Sequence, residues 1–199
     1  MKTIAVALTG ASGMPYGLRL IESLIRAGCR VQLVYTQAAQ IVAKQEMDLA
    51  LAGTRETAEL LSARFGAAEG QLLVYGREEW FAPIASGTNP PDAMVICPCT
   101  MGTLASVAAG LSSNLIERAA DVCLKEGRKL VIVPREAPFS TLHLENMLRL
   151  SRMGVVILPP SPGFYHHPQT VQDLVDFVVA RVMDQIGVEH GLMKRWGDT

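Results

Sequence analysis

The stretch Ile4-Ala5-Val6-Ala7-Leu8-Thr9-Gly10-Ala11-Ser12-Gly13-Met14-Pro15-Tyr16-Gly17 decides the fold. Its first five residues form a short apolar run of the kind buried on both faces of a sheet. A glycine-rich turn follows, and then a helical stripe in which Met14, Leu18, Ile21 and Ile25 share one face. Pro15 suits the first helical turn, where its missing N–H costs nothing, and Gly28 is placed to stop the helix. Strand, glycine turn and helix in this order open a βα unit.

Working outward, the same alternation continues to the end of the chain. Strands are expected at Val31 to Tyr35, Leu72 to Tyr75, Ala93 to Cys97, Leu130 to Val133 and Val155 to Leu158. Helices are expected from Gln37 to Glu46, Thr54 to Phe65 and Thr103 to Ala109. Another follows Asn114, an N-cap with Glu117 three residues on as a capping-box-like partner. Thr170 opens the last helix, with Leu174, Val175, Val178, Val182 and Ile186 along one side and Gly187 after its end. Repeated βα units imply a three-layer α/β fold: a parallel sheet with helices on both faces and right-handed crossovers. No repeat, low-complexity tract or linker divides the chain, so one domain over 1–199 is expected. In such sheets ligands bind beyond the carboxyl ends of the strands.

Composition narrows the function classes. Of 199 residues, 49% are hydrophobic and 19% charged, enough apolar content for a sizeable core and for surface covered by other subunits. A net charge of −1 without a basic run argues against nucleic-acid binding. No segment reaches the apolar length of a membrane span, and the N-terminal run is too short for a signal peptide. Four irregularly spaced cysteines make no disulfide framework. The expected compartment is the cytoplasm.

Five strand ends carry candidate chemistry. At Gly10-Ala11-Ser12-Gly13 the backbone turns sharply and the helix start offers N–H groups to a phosphate; the alternative is a tight turn with no ligand. Thr36 either meets the same ligand or caps the next helix. Glu46, at that helix's end, reads from composition as a solvated carboxylate. Cys97-Pro98-Cys99-Thr100-Met101-Gly102-Thr103 offers small and hydroxylated residues to the edge of a ring system, its cysteines read as core hydrophobes because no second ligand pair follows. Arg135-Glu136 places an oxyanion partner beside a proton carrier, or else is an ordinary surface pair. Arg118 and Lys125 add positive charge near the ends of the preceding helix. In Ser161-Pro162-Gly163-Phe164-Tyr165-His166-His167-Pro168, Tyr165 can donate to an anion, and the His pair lacks partners for a metal. Trp80 and Trp196 are core, interface or stacking residues.

Taken in order, Gly10-Ala11-Ser12-Gly13, Ala85-Ser86-Gly87, Cys97 to Thr103, Asn114-Leu115-Ile116-Glu117-Arg118-Ala119-Ala120-Asp121, Pro134-Arg135-Glu136 and Pro162-Gly163-Phe164-Tyr165 resemble the flavin prenyltransferases of the UbiX type across nearly the whole chain. The resemblance implies a Rossmann-like (flavodoxin-like) α/β fold and a homo-dodecamer with flavin sites between subunits. It implies that Gly10, Ala11, Ser12, Thr36, Thr100, Met101, Gly102, Thr103 and Arg135 contact FMN. Arg118, Lys125, Arg135 and Tyr165 would hold the phosphate of dimethylallyl monophosphate, with Arg181 a further candidate and Ser86 and Gly87 beside the substrate. The five-carbon unit would join N5 and C6 of reduced FMN without a metal, and the prenylated FMN would serve a partner decarboxylase of the UbiD type, in quinone synthesis or aromatic-acid breakdown.

Within that chemistry, Trp80 and Trp196 would wall an allylic cation. Ser12 and Glu46 would form a hydrogen-bonded pair at the reacting ring positions, and Glu136 would exchange a proton with the leaving phosphate. Asp173 suits position N3 of the last helix and Asp176 a solvated face. Two other readings are an FMN-dependent decarboxylase of aryl acids or cysteine-type substrates, and a non-catalytic FMN carrier. Related decarboxylases use an early catalytic His and a Met-Asn motif; here the first histidine is His143, and Arg135-Glu136 stands where that motif would be.

Overall fold

The computed structural model describes residues 1–193 and 197. Six parallel strands form one sheet: β1 (Thr3–Leu8), β2 (Arg30–Tyr35), β3 (Leu72–Tyr75), β4 (Ala93–Cys99), β5 (Lys129–Pro134) and β6 (Val156–Ile157). Their order is β3-β2-β1-β4-β5-β6. This is the doubly wound Rossmann arrangement, and it reverses direction between β1 and β4, where a crevice opens at the carboxyl edge.

Alternation along each strand builds two cores. Ile4, Val6, Leu8, Val31, Leu33, Val95 and Val131 face a layer formed by α1 (Met14–Arg26), α2 (Gln37–Met47), α3 (Thr54–Phe65) and α7 (Val171–Gln185). Ala5, Ala7, Met94, Ile96, Leu130 and Ile132 face α4 (Met101–Ala108), α5 (Leu115–Lys125) and α6 (Thr141–Arg152). The predicted α1 stripe of Met14, Leu18, Ile21 and Ile25 lies in the first core.

Several local expectations change. β4 runs to Cys99, so α4 begins at Met101 rather than Thr103. β6 is two residues long, not four. α6 has no counterpart in the sequence reading because its apolar residues do not form a buried stripe: only Leu150 is buried, while Leu142, Leu144 and Leu148 are exposed. Ser140 caps it, accepting from the His143 amide. Asn114 caps α5 by accepting from the Ile116 and Glu117 amides. Glu117, however, reaches back to the Ser113 amide rather than to that of Asn114.

At the start of α7, Thr170 and Asp173 make the expected reciprocal cap. Asp176 does not lie on a solvated face. It accepts two hydrogen bonds from Arg19, from Nε at 2.7 Å and Nη2 at 2.9 Å, and ties α7 to α1. Positions seven residues before and after a buried stripe look alike in sequence, and only the packing of α1 against α7 brings this arginine opposite that aspartate.

Candidate flavin site

The crevice is pinned by a side chain that the motif reading quoted without a role. Thr9, fully buried at the end of β1, donates its hydroxyl to the Pro98 carbonyl at 2.8 Å and accepts the Thr100 amide at 2.8 Å. β1 and β4 are thereby locked together where the strand order reverses. A buried hydroxyl directly after an apolar strand is the sequence signal for such a link, since it needs partners that strand pairing does not supply.

Beyond Thr9 the turn passes Gly10, Ala11 and Ser12 to Gly13, whose φ of 121° is a conformation that favours glycine. Here the expectation of phosphate at the helix start is corrected. The Gly13 amide donates to Glu46 Oε2 at 3.0 Å and the Met14 amide donates to the same oxygen at 2.8 Å. Pro15 has no N–H, and the Tyr16 amide bonds the Gly13 carbonyl. All four orphan positions of this helix start are therefore accounted for, and the anion that the helix dipole favours is the protein's own carboxylate.

Ser12 adjoins Glu46, close enough for its hydroxyl to favour the ionised carboxylate. Burial pushes the Glu46 carboxyl up, but the Ser12 hydroxyl, the two amides and the nearby Arg135 charge outweigh it and hold the pKa below its ordinary value. Glu46 is exposed, as its composition-based reading has it, but its carboxylate is ionised and fixed at the turn by two backbone amides.

α4 supplies the other helix start. Thr100 caps it, accepting from the Thr103 amide at 3.2 Å while its hydroxyl donates to that of Thr103 at 3.0 Å. The amides of Met101 and Gly102 have no partner among the described residues. No atom lies within 4 Å of where a Cβ on Gly102 would stand, so this end is open to a bulky planar group. Thr36 is the N-cap of α2, accepting from the Ala39 amide, and stands at the end of β2 beside the turn. The Gly10 backbone closes against α2: a Cβ there would stand 2.4 Å from that of Ala38. Cys97 and Cys99 are fully buried, and burial pushes the Cys97 thiol up to about 12 and Cys99 higher still, as befits core hydrophobes.

Arg135 and Glu136 follow β5 at the same edge. Arg135 is exposed and donates its amide to the Cys99 carbonyl; the Glu136 carboxylate accepts the Ala137 amide, and no ion pair joins the two side chains. Thus Ser12, Thr36, Glu46, Thr100 to Thr103, Arg135 and Glu136 gather at one end of the sheet.

Lys125 does not join them within one chain. Arg118 donates to the Ala85 carbonyl and pairs with Asp121 at 2.9 Å. Lys125 lies seven residues further along α5, about 10 Å away. It pairs with Glu126 and packs over Gly87, where a Cβ would stand 2.5 Å from its Nζ. Because α5 runs antiparallel to the strands, Lys125 sits at the edge where β5 begins, roughly 20 Å of strand from Arg135. Ser86 bonds Thr88 in the loop beside it.

Tyr165 lies in the segment between β6 and α7, and Arg181, paired with Asp184, lines a cavity of about 310 Å³ with Ile157, Pro159 and Phe177. The expected single cluster of Arg118, Lys125, Arg135, Glu136 and Tyr165 is therefore not complete in one chain, because Lys125 lies at the opposite edge of the sheet. Trp80 is half exposed, not core; Trp196 lies outside the described residues. Among the described residues there is no group of three or more His, Cys, Asp or Glu side chains placed to hold a metal, and no helix is long and apolar enough to cross a membrane.

Residues 1–183 match the Flavoprotein family model. Flavin prenyltransferase UbiX of Pseudomonas aeruginosa is 54% identical over 196 residues, which cover 98% of this chain and 94% of that protein. The chain belongs to the flavin prenyltransferase family. Among solved structures, AnUbiX (PadA1) in complex with FMN and dimethylallyl pyrophosphate aligns with a TM-score of 0.89 at 36% identity, covering 100% of this chain and 98% of that one. A dodecameric FMN-dependent UbiX-like decarboxylase from Escherichia coli O157:H7 aligns with a TM-score of 0.86 at 44% identity, covering 98% and 100%. In the flavin prenyltransferase fold, then, the crevice residues above occupy the reversal point of the sheet.

Proposed function

We propose that this chain is a single flavoprotein domain, 1–199, that transfers a dimethylallyl group from dimethylallyl monophosphate to N5 and C6 of reduced FMN, without a metal. The observation that carries the reading is the Glu46 carboxylate, fixed by two backbone amides beside Ser12 at the edge of a crevice that otherwise fits a flavin. A carrier needs contacts to the ring and phosphate, but no carboxylate held pre-oriented by two backbone amides. The isolated chain also lacks the early catalytic histidine that related flavin-dependent decarboxylases use.

The crevice suits the group. Met101 and Gly102 leave amides and space at the start of α4, Gly10 and Ala11 give close backbone approach, and Thr36, Thr103 and Arg135 border it. The reduced flavin supplies nucleophilic nitrogen and carbon; the carbon–oxygen bond of the donor breaks with its electron pair leaving on phosphate. Ser12 and Glu46 accept and return protons at the reacting ring edge. Arg118, Lys125, Arg135 and Arg181 neutralise the phosphate, Tyr165 donates a hydrogen bond to it, and Glu136 hands it a proton as it departs. Trp80, and in the same reading Trp196, shield the cation from water.

The separation of those cations is itself the argument for assembly: neighbouring copies, as in the dodecameric relative, would bring α5 of one chain to the crevice of another. The exposed Leu142, Leu144 and Leu148 of α6 give such contacts an apolar face. Four unpaired cysteines suit a reducing, cytoplasmic compartment. The product would pass to a UbiD-type decarboxylase.

Anaerobic incubation of the protein with reduced FMN and dimethylallyl phosphate, followed by mass spectrometry, tests the reading. The flavin is expected to gain one five-carbon unit with release of inorganic phosphate. An unchanged flavin mass would overturn it, and carbon dioxide release from a hydroxybenzoate or cinnamate by the protein alone would favour the decarboxylase.

A further inference from the structure

Tyr165 sits in a small aromatic cluster whose other members have no assigned role. Its ring meets the His166 ring edge to face, with centroids 5.8 Å apart, and meets Phe177 of α7 in the same way at 5.8 Å. His166 in turn stacks on Phe177, centroids 5.2 Å apart and planes inclined by 18°. The backbone closes the cluster: a Cβ on Gly163 would stand 2.9 Å from Tyr165 Cε1 and 3.3 Å from Phe177 Cζ, so only glycine leaves room for these rings.

His166 is unusual in another respect. Both of its ring nitrogens are buried without a hydrogen-bond partner, and it is the sole side chain in that state among the described residues. A buried polar atom left unpaired lowers stability, so the imidazole is not held there by its hydrogen-bonding capacity. Its plane is what the site uses.

We propose that His166 is a positioning residue: stacked on Phe177, it fixes the Tyr165 ring to α7 so that the phenol is presented ready-aimed to the phosphate of the allylic donor. The inference rests on the reading of Tyr165 as a phosphate ligand. Around half of the tyrosine stays exposed although its ring is clamped, which is what a recognition residue needs. Fixing one rotamer beforehand removes an ordering cost that donor binding would otherwise carry. The effect therefore belongs to donor binding, not to flavin binding or to the chemical step.

The test compares steady-state kinetics and FMN affinity of the full-length assembled protein with four variants. Tyr165→Phe sets the reference and is expected to raise the donor KM. His166→Ala is expected to raise it about three- to tenfold, the range one aromatic contact supports, with kcat and FMN affinity nearly unchanged. His166→Phe, which keeps a ring and removes the orphaned nitrogens, should restore the donor KM without lowering Tm. Gly163→Ala, acting on the same ring from the backbone, should raise the donor KM as His166→Ala does. If Tyr165→Phe raises KM and His166→Ala does not, the positioning role is overturned while the phosphate role of Tyr165 stands. If His166→Phe is as impaired as His166→Ala, the nitrogens matter and the stacking account fails. If Tyr165→Phe itself leaves KM unchanged, both readings fall.

Discussion

Oε2 of Glu46 accepts the backbone N–H of Met14 at 2.8 Å, joining the last turn of α2 to the first turn of α1. A helix start that would otherwise attract a ligand phosphate is closed by an internal carboxylate, and that carboxylate is thereby held ionised beside Ser12. One contact thus occupies the amides of this helix start and fixes the carboxylate in place.

The same contact ties stability to pH. Because the folded Glu46 pKa lies below its ordinary value near 4.5, its contribution is complete above that value and is lost as pH falls through the lower folded one. Glu46→Gln should therefore cost stability at neutral pH and progressively less in acid. Urea midpoints for the two proteins measured from pH 7 downward check this: the gap between them is expected to narrow below pH about 4.5. Turnover should fall in the variant while FMN binding persists.

Thr9 links the two central strands through two bonds of 2.8 Å. Thr9→Val keeps the volume but strands the buried Thr100 amide. A loss of about 1–3 kcal/mol in unfolding free energy is expected. FMN affinity should drop with it, because Thr100 caps the helix that borders the ring. Denaturant unfolding and fluorescence titration with FMN measure the two effects separately.

The α/β class, the strand sequence and the crevice residues could be read from the chain because short-range patterns specify them. An apolar run, a glycine turn and a 3.6-residue stripe each have one economical solution. Relations between distant segments were not legible. The Arg19–Asp176 pair depends on how α1 meets α7. The capture of the α1 amides by Glu46 depends on where α2 ends. α6 escaped because its leucines face outward, so its periodicity does not report a core. The motif residues Arg118, Lys125 and Arg135 invite a single cluster, but α5 runs against the strands and carries Lys125 to the opposite edge.

Two glycines at the crevice should behave oppositely. A Cβ on Gly17 would stand 2.5 Å from both the Cys97 carbonyl oxygen and Leu8 Cδ2, so Gly17→Ala forces α1 off the sheet. A destabilisation of about 1–3 kcal/mol is expected. A Cβ on Gly102 meets nothing within 4 Å, and alanine favours a helix by about 0.5–1 kcal/mol, so Gly102→Ala should be at least as stable as the parent. Its FMN affinity should nonetheless fall, because the added methyl group enters the space assigned to the ring. Thermal unfolding with and without FMN separates a folding defect in the first variant from a binding defect in the second.

The distance between Lys125 and Arg135 leads to the strongest test of shared sites. If α5 of one copy completes the crevice of another, Lys125→Ala protein retains an intact crevice, and Ser12→Ala protein retains an intact α5. Each alone should be nearly inactive. Unfolding and refolding the two together, so that subunits mix at random, should restore part of the activity, because some interfaces then join an unaltered Ser12 to an unaltered Lys125. With equal amounts, about one site in four carries both residues, and recovery should approach that fraction of parental turnover if assembly follows simple pairing. The double variant Ser12→Ala/Lys125→Ala mixed with parent protein gives the same fraction of intact sites and serves as the control for refolding yield. Recovery in the control but none in the complementation mixture would mean that both residues act within one chain and would overturn the shared-site reading.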